Sequence, residues 1–264
     1  MNKKTSKLGI FFAGNRLSIA NRVLAVKLSL NVFSTRKRAG TMIPIRDTAP
    51  CYSKPYITWG IMAVCISIFI AMKLMPDQTA ISLLNRYGMV PIRYSGLPTG
   101  LPFDGYLSFL TNLFLHASWT HLIVNMWFLW IFADNVEDRM GRIPFLIFYL
   151  VCGVFATFLQ WYFDPMLAIP VVGASGAIAG VLAAYFFLYP LERVVLWVPL
   201  FFLPIVIHVP AIAFLGLWVL LQLHNATTAV IFEGTKVDVA WWAHLGGFIA
   251  GSILYRLFIR KAPE

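Results

Sequence analysis

Residues 170–190 read PVVGASGAIAGVLAAYFFLYP. The stretch carries no charge, and it is long enough to cross a bilayer, which takes about 20 apolar residues. It also contains Ser175, which stands between the small residues Ala174 and Gly176, with Gly173 just before them. A serine at the start of a helix, surrounded by residues with almost no side chain, can be reached by a second molecule. The stretch therefore indicates a transmembrane helix whose first serine either bonds its own helix backbone, as membrane serines usually do, or is exposed for chemistry.

The composition indicates a polytopic α-helical membrane protein. Of 264 residues, 59% are hydrophobic and 12% are charged, and the mean hydropathy is +0.76. Soluble domains have about 25% charged residues. No segment alternates with the period of a membrane barrel strand. The cysteines at 51, 65 and 152 have neither metal-site spacing nor the pattern of a disulfide framework. We therefore predict no metal and no cofactor.

The net charge of +10 is concentrated at one end of the chain. Residues 1–41 contain nine Lys or Arg, at positions 3, 4, 7, 16, 22, 27, 36, 37 and 38, and no Asp or Glu. This basic extension is interpreted as a surface tail, as a transit peptide, or as the result of a start site assigned upstream of Met42. Because the charge is terminal, it does not predict a nucleic-acid partner.

Six apolar segments are predicted to span the membrane. They are 56–75, 118–133, 143–163, 173–190, 205–224 and 239–258, named spans 1 to 6 in chain order. Residues 194–204 are interrupted by Pro199 and Pro204 and are predicted to form an interfacial connection. Residues 76–117 include the apolar run YLSFLTNLFLHA and are expected to lie partly in the membrane. The predicted organisation is an extension (1–41), a cytoplasmic lead-in (42–55), a six-helix domain (56–258) and a short basic tail (259–264).

The distribution of Lys and Arg predicts the orientation. With six spans both chain ends lie on one side, which carries eight such residues without the extension: Arg46, Lys54, Arg139, Arg142, Arg193, Arg256, Arg260 and Lys261. The opposite side carries four: Lys73, Arg86, Arg93 and Lys236. The positive-inside rule then places both termini in the cytoplasm. We expect a bacterial inner membrane or, alternatively, an organellar inner membrane.

Four polar residues fall at a common depth in this topology. Spans 2, 4 and 6 all start on the outer side, and their first turns contain His121 and Asn125, Ser175, and His244 respectively. Polar groups at such depth are expensive and tend to be functional. The sequence therefore predicts a site in the outer half of the bilayer.

Two GxxxG patterns predict that spans 4 and 6 pack together. Span 4 carries Gly176 and Gly180, and span 6 carries Gly247 and Gly251. Such pairs let helix backbones approach closely. His244 precedes Gly247 by three residues and so shares its helix face. Docking of these faces would bring His244 towards Ser175.

Four motifs resemble those of rhomboid intramembrane serine proteases. They are HASWTHLIVN (116–125), EDRMG (137–141), GASGAIAG (173–180) and AHLGGFIAG (243–251), in the family's order. Many members also carry Trp-Arg in the first loop, where this chain has Leu107 and Ser108. The resemblance covers roughly residues 42–258 and implies an all-α bundle of six transmembrane helices.

The resemblance also implies roles for individual residues. Ser175 would be the nucleophile, His244 the general base, and His121, Asn125 and Ser175 would stabilise the oxyanion. The residues implied to be structural are Gly173, Gly176, Gly180, Glu137, Arg139, Gly141, Gly247, Gly251 and His116. His116 stands five residues before His121 and is expected to point to a different face and to support the loop.

The chemistry of these residue types agrees with that reading. A serine hydroxyl needs a base to take its proton, and spans 4 and 6 contain no Asp or Glu to orient His244. A Ser175–His244 dyad is therefore predicted rather than a triad. The H-E-x-x-H motif of zinc proteases is absent, and the predicted spans contain no carboxylates for an aspartyl protease. Expected substrates are single-pass transmembrane proteins cut in the outer half. The alternative is a catalytically silent rhomboid-like scaffold or a polytopic transporter.

Overall fold

The fold is described from a computed structural model covering residues 43–96, 105–200, 203–231 and 239–260. These residues all fall within one compact unit of the chain, Gly40–Glu264. The predicted basic extension (1–41) and residues 261–264 of the predicted tail lie outside the described residues.

The described residues form a predominantly helical structure with one small sheet. The elements, in chain order, are β1 (Ile43–Asp47), α1 (Tyr56–Leu74), α2 (Asp77–Tyr87), α3 (Ser108–Thr111), α4 (Trp119–Met140), α5 (Arg142–Phe163), α6 (Ser175–Leu188), β2 (Arg193–Leu200), β3 (Leu203–Pro210), α7 (Ala211–Ile231) and α8 (Trp241–Phe258). The six long helices α1, α4, α5, α6, α7 and α8 correspond to spans 1 to 6. The predicted all-α bundle is confirmed.

Within the described residues, three stretches are both long and apolar enough to cross a membrane by themselves: Tyr56–Leu74, Arg142–Phe163 and Ala211–Ala229. Helix α6 is apolar but shorter, with 14 residues. It lies at the centre of the bundle, where all ten residues from Gly176 to Tyr185 are buried. The protein is a multi-pass membrane protein in which the helix carrying Ser175 is enclosed by its neighbours.

Helix α4 is longer than span 2 because its polar last turns are buried and bonded. The Glu137 carboxylate accepts hydrogen bonds from the backbone N–H groups of Ile57 and Thr58, at 3.0 and 2.8 Å, and from the Thr58 hydroxyl at 2.8 Å. It thereby caps the start of α1, whose first N–H groups lack partners within the helix. Gly141 (φ +85°) then turns the chain directly into α5. The Arg139 carbonyl accepts the N–H of Arg260 at 3.0 Å, which ties the far end of α8 to this turn.

The structure corrects two boundaries around span 5. Residues 194–204 were predicted to be an interfacial connection, and span 5 was predicted to start at residue 205. Instead β2 and β3 form an antiparallel hairpin, with Val195 opposite His208 and Pro199 opposite Pro204 near its tip, and α7 begins at Ala211. Many residues in the hairpin are β-branched, which favours strands. Apolar content alone did not distinguish these strands from the start of a helix.

The predicted lead-in (42–55) also contains a strand. β1 pairs with β2, with Ile43 opposite Trp197, so residues about 150 positions apart form one sheet. The Tyr185 hydroxyl of α6 donates to the Asp47 carboxylate at the end of β1. Burial raises the pKa of Asp47, although this hydrogen bond acts in the opposite direction. The sheet is therefore attached to the C-terminal half of α6, away from Ser175.

Candidate active site

Ser175 is the first residue of α6, and the segment before it is fixed by backbone bonds. Val171 and Met89 exchange both backbone hydrogen bonds, at 2.7 and 3.1 Å, and the Gly173 N–H donates to the Asn112 carbonyl at 2.9 Å. Gly173 has φ +129°, a conformation that L side chains rarely adopt. The segments that follow α2 and α3 thus hold the chain in the turn that presents Ser175 at a helix N-terminus.

His121 and Asn125 lie against this turn. A methyl group built on Gly173 would come within 2.6 Å of the His121 ring atoms Cε1 and Nε2 and 3.6 Å from Asn125 Nδ2. Asn125 is 5% exposed, and its Nδ2 has no hydrogen-bond partner among the described residues. An unpaired buried amide donor therefore lies beside the backbone that leads into Ser175.

The position of His121 follows from a helix cap. Ser118 is the N-cap of α4, and its hydroxyl accepts the His121 N–H at 3.2 Å. This is the usual bond between an N-cap side chain and the third helical residue. Asn125, one turn further, lies on the same face of α4.

His116 does not point away from His121. It is 1% exposed, and its ring packs edge-on against the His121 ring, with the centroids 5.3 Å apart. The prediction of a different face assumed helical spacing from residue 116. The helix begins only at Trp119, so the five-residue separation does not set the direction of His116. It supports His121 from the preceding loop.

On α8, the two glycines are in direct contact with the backbone of α6. A methyl group on Gly247 would overlap the carbonyl oxygen of Gly176, and one on Gly251 would overlap that of Gly180. The predicted docking of spans 4 and 6 agrees with this contact. His244, one turn before Gly247, is the fourth residue of α8, and the adjacent Ala243 lies beside Gly176. Ser175 and His244 are thus on neighbouring first turns of touching helices.

The α6 glycines lie close to α8, as predicted, and also to a second helix, α5: Cβ atoms on Gly176 and Gly180 would come 3.6 and 3.2 Å from the carbonyl oxygens of Ala243 and Gly247. A methyl group on Gly176 would meet the Ala156 Cβ at 2.6 Å, and one on Gly180 would meet Cys152 Cβ at 2.5 Å. Both neighbours belong to α5. The GxxxG pattern of α6 therefore allows close packing against α5 in addition to α8.

The His244 imidazole is partly buried between α7 and α8. Its Nδ1 is 2.7 Å from Oε1 of Gln222, a residue of α7 that is 6% exposed. The rings of Trp218 and Trp241 flank the imidazole, with centroid distances of 5.9 and 6.0 Å. The Ser175 hydroxyl makes no hydrogen bond to a described residue. Bonds between nucleophile and base are often long in enzymes without substrate.

Sequence reasoning missed three residues that shape this site: Asn112, Ser118 and Gln222. Ser118 carried a recognisable signal, since a serine three residues before His121 fits a helix cap. Gln222 carried a weaker one, a polar amide within an apolar span. The use of the Asn112 carbonyl by Gly173 depends on backbone geometry and has no sequence signal.

Neither a metal site nor a disulfide occurs among the described residues. They contain no group of three His, Cys, Asp or Glu side chains that could hold a metal ion. The cysteines are unpaired; Cys65 and Cys152 are buried and Cys51 is exposed.

Comparison with known proteins gives one family model and several relatives. The model described as "Rhomboid domain" matches residues 104–261. Rhomboid-like protein 11, chloroplastic, of Arabidopsis thaliana is 41% identical over 81 residues, 31% of this chain and 29% of that protein. Rhomboid protein 1, mitochondrial, of Saccharomyces cerevisiae is 31% identical over 164 residues, 60% of this chain and 43% of that protein. Rhomboid protease GlpG of Salmonella choleraesuis is 27% identical over 113 residues, 41% of this chain and 36% of that protein. The chain thus spans less than half the length of these relatives.

Proposed function

Because the chain belongs to the rhomboid family, we propose that it is an intramembrane serine endopeptidase with Ser175 as nucleophile and His244 as general base. The observation that carries the proposal is the convergence of three helix starts. The first turn of α4 packs on the turn before Ser175, and the first turn of α8 packs on the first turn of α6. A nucleophile, a base and an unpaired amide donor are thereby gathered at one end of the bundle.

The reaction would proceed by acyl transfer. His244 accepts the hydroxyl proton while Ser175 Oγ attacks the scissile carbonyl carbon. The tetrahedral intermediate collapses, the C–N bond breaks, and the leaving amine takes the proton from His244. A water molecule then repeats the sequence on the acyl-enzyme, and the new carboxyl end is released as Ser175 regains its proton.

The oxyanion of that intermediate requires donors that are already in place. The N–H groups of the first turn of α6 have no acceptor within the helix, and the helix dipole favours negative charge there. Asn125 Nδ2 is unpaired and buried beside the same turn. We assign Asn125 and His121 to the oxyanion site together with the Ser175 N–H. The Gly173 N–H is excluded, since it is already donated to Asn112.

The substrates follow from the depth of the site. A peptide bond inside a helix is shielded, and opening the helix in lipid leaves backbone groups without partners. Single transmembrane helices with small or helix-weakening residues near their outer end would open at the least cost. We propose that cleavage falls in the outer half and releases a fragment outward, with both termini of the enzyme on the side richer in Lys and Arg. Relatives are named chloroplastic, mitochondrial or from Salmonella, and we place this chain in an inner membrane.

The test is labelling of the purified protein in detergent with a fluorophosphonate probe, alongside cleavage of a model transmembrane substrate. We expect labelling and cleavage by the wild type and neither by Ser175→Ala. Ser252→Ala is the matched control, because the Ser252 hydroxyl only donates to the carbonyl of Phe248 on its own helix. Cleavage by Ser175→Ala at the wild-type rate would contradict the proposal, and a wild type without labelling or cleavage would favour the silent scaffold.

A further inference from the structure

Gln222 is a buried polar residue that the proposed mechanism has not used. It lies in the middle of α7, and its side chain is 6% exposed. Burying an amide costs free energy unless its groups are bonded. Both ends of the Gln222 amide have partners: Nε2 donates to the carbonyl oxygen of Trp218 at 3.3 Å, and Oε1 lies 2.7 Å from His244 Nδ1.

The bond to Trp218 determines which end of the amide faces His244. A backbone carbonyl can only accept, so the atom that faces it must be the amide NH₂ group. The carbonyl oxygen Oε1 is then the atom that faces the imidazole. Since Oε1 can only accept, His244 Nδ1 must carry a proton and donate it.

That proton fixes the tautomer of the proposed base. In neutral imidazole one nitrogen carries hydrogen and the other carries a lone pair. With hydrogen on Nδ1, the lone pair is on Nε2, the nitrogen left to take the Ser175 proton. After transfer, the imidazolium still donates Nδ1–H to Gln222, so the same bond holds the ring in both states.

We propose that Gln222 is a positioning residue that holds His244 in the Nδ1–H tautomer and in a fixed ring orientation. This inference rests on the proposed function and adds a neutral third member to the Ser175–His244 pair. Triad enzymes use a carboxylate for this task. The bilayer favours an amide, because an unpaired carboxylate would be far more costly there.

The rest of the His244 surroundings is consistent with this role. The rings of Trp218 and Trp241 limit sideways movement of the imidazole but offer it no acceptor in the ring plane. Among the described residues, the ionisable side chain close enough to influence the charge of His244 is His121 of α4. Of the described side chains bonded to the His244 ring, Gln222 is the one that accepts its proton.

The direct test is the nitrogen NMR spectrum of the protein labelled with ¹⁵N-histidine at neutral pH. The chain has five histidines, and His244→Ala identifies the signals of residue 244. We expect a protonated Nδ1 and an unprotonated Nε2 in the wild type, and a mixture of tautomers in Gln222→Leu. A wild-type His244 protonated at Nε2 would overturn the proposal, whatever the variants do.

Kinetics provide the second test. Gln222→Leu should lower kcat by about 10- to 100-fold, the range expected for loss of one buried hydrogen bond, with KM nearly unchanged. Gln222→Glu keeps an acceptor oxygen, so it should recover part of kcat. Its negative charge would also favour the imidazolium and move the acidic limb of the kcat–pH profile to higher pH. Wild-type kcat and an unshifted profile in both variants would overturn the proposal.

Gln160→Leu is the matched control. Gln160 is a glutamine of α5, 1% exposed, and its Oε1 accepts the backbone N–H of Ala243, the neighbour of His244. Its replacement should lower the unfolding temperature without moving the pH midpoint or changing the tautomer. Failure of the Gln222 tests in a wild type that cleaves substrate rejects the positioning role alone. Cleavage by Ser175→Ala rejects the proposed function itself.

Discussion

Two of the helices that pack against α8, α6 and α7, hold it in different ways. Towards α6 the contact is backbone on backbone, since Gly247 and Gly251 lie on the carbonyl groups of Gly176 and Gly180. Towards α7 it is made through side chains, chiefly Gln222 and Trp218 around His244. Ten consecutive residues of α6 are buried, whereas only 22% of the residues in the most apolar 18-residue stretch of α7 are buried.

The α6 contact therefore sets the distance between the helices, and the α7 contact sets the orientation of the His244 imidazole. The distance between the helices that carry Ser175 and His244 is set by atoms that cannot rotate away, so any added group must push the helices apart. The orientation of the imidazole is set by side chains, whose replacement weakens a contact without moving a helix. Substitutions on the α6 side should therefore lower cleavage activity strongly. Substitutions on the α7 side should lower it by smaller amounts that depend on the contact removed.

The largest effect is expected where α4 packs on the turn before Ser175. Asn125→Ala removes an amide donor that has no other partner among the described residues. Loss of one oxyanion donor costs about 10²–10³ in kcat, and KM should change little because the bond strengthens in the transition state. The measurement is steady-state cleavage of a transmembrane substrate.

His121→Ala should follow the same pattern, with a loss in kcat rather than in KM. Asn225→Ala, on α7, is the control and should leave kcat within about twofold of the wild type. A pure increase in KM for Asn125→Ala would show that the amide only binds substrate.

The next effect concerns the backbone contact between α6 and α8. Gly247→Ala places a methyl group on the Gly176 carbonyl oxygen, so the helices must separate and His244 must move. A displacement of about 1 Å costs about 10² in rate. The measurement is cleavage activity per unit of folded protein, with folding followed by thermal unfolding.

Gly216→Ala is the matched control from α7. Its added methyl group would meet its nearest neighbour, Phe186, at 3.8 Å, an ordinary contact. We expect activity within about twofold of the wild type. If Gly247→Ala were as active as Gly216→Ala, the backbone contact would not set the position of His244.

The smallest effect is expected at the ring contact on the α7 side. Trp218→Leu removes an aromatic neighbour of His244 but keeps the backbone carbonyl that binds Gln222. Such ring contacts are worth about 0.5–1.5 kcal/mol, which corresponds to about a two- to tenfold loss in kcat. Trp130→Leu, at an exposed position of α4, should have no effect. If Trp218→Leu lowered kcat as much as Gly247→Ala does, the α6 and α7 sides of α8 would not differ in their effect on activity.

The sequence predicted most of the helical frame because a bilayer imposes simple requirements. A spanning helix needs a run of apolar residues of set length, and that run is readable locally. Spans 1 and 3 agree with α1 and α5 to within one residue at each end, and spans 4 and 6 agree with α6 and α8 to within two. Span 2 was too short, since burial of Glu137 extends α4 through polar residues.

The sequence also predicted which helix starts would pack together: His121 lies beside Gly173, and Ala243 lies beside Gly176. Ser175, His121, Asn125 and His244 are polar residues at helix starts, and their depth follows from topology alone. The spacing of Gly247 and Gly251 predicted that α8 would approach α6, because small residues along one helix face allow another helix to pack closely. Both inferences need only the periodicity of a helix and the thickness of a membrane.

Tertiary structure alone decided the contacts that join distant parts of the chain. The hairpin of β2 and β3 and its pairing with β1 form from segments that locally resemble the edge of a membrane helix. The α6 glycines also lie close to α5, and His116 packs against His121, because neighbouring elements and the start of α4 fix those directions. Gln222 meets His244 because α7 lies beside α8. The local sequence pattern determines which segments are long and apolar enough to span the bilayer. The partner of a polar side chain is determined only when the helices pack.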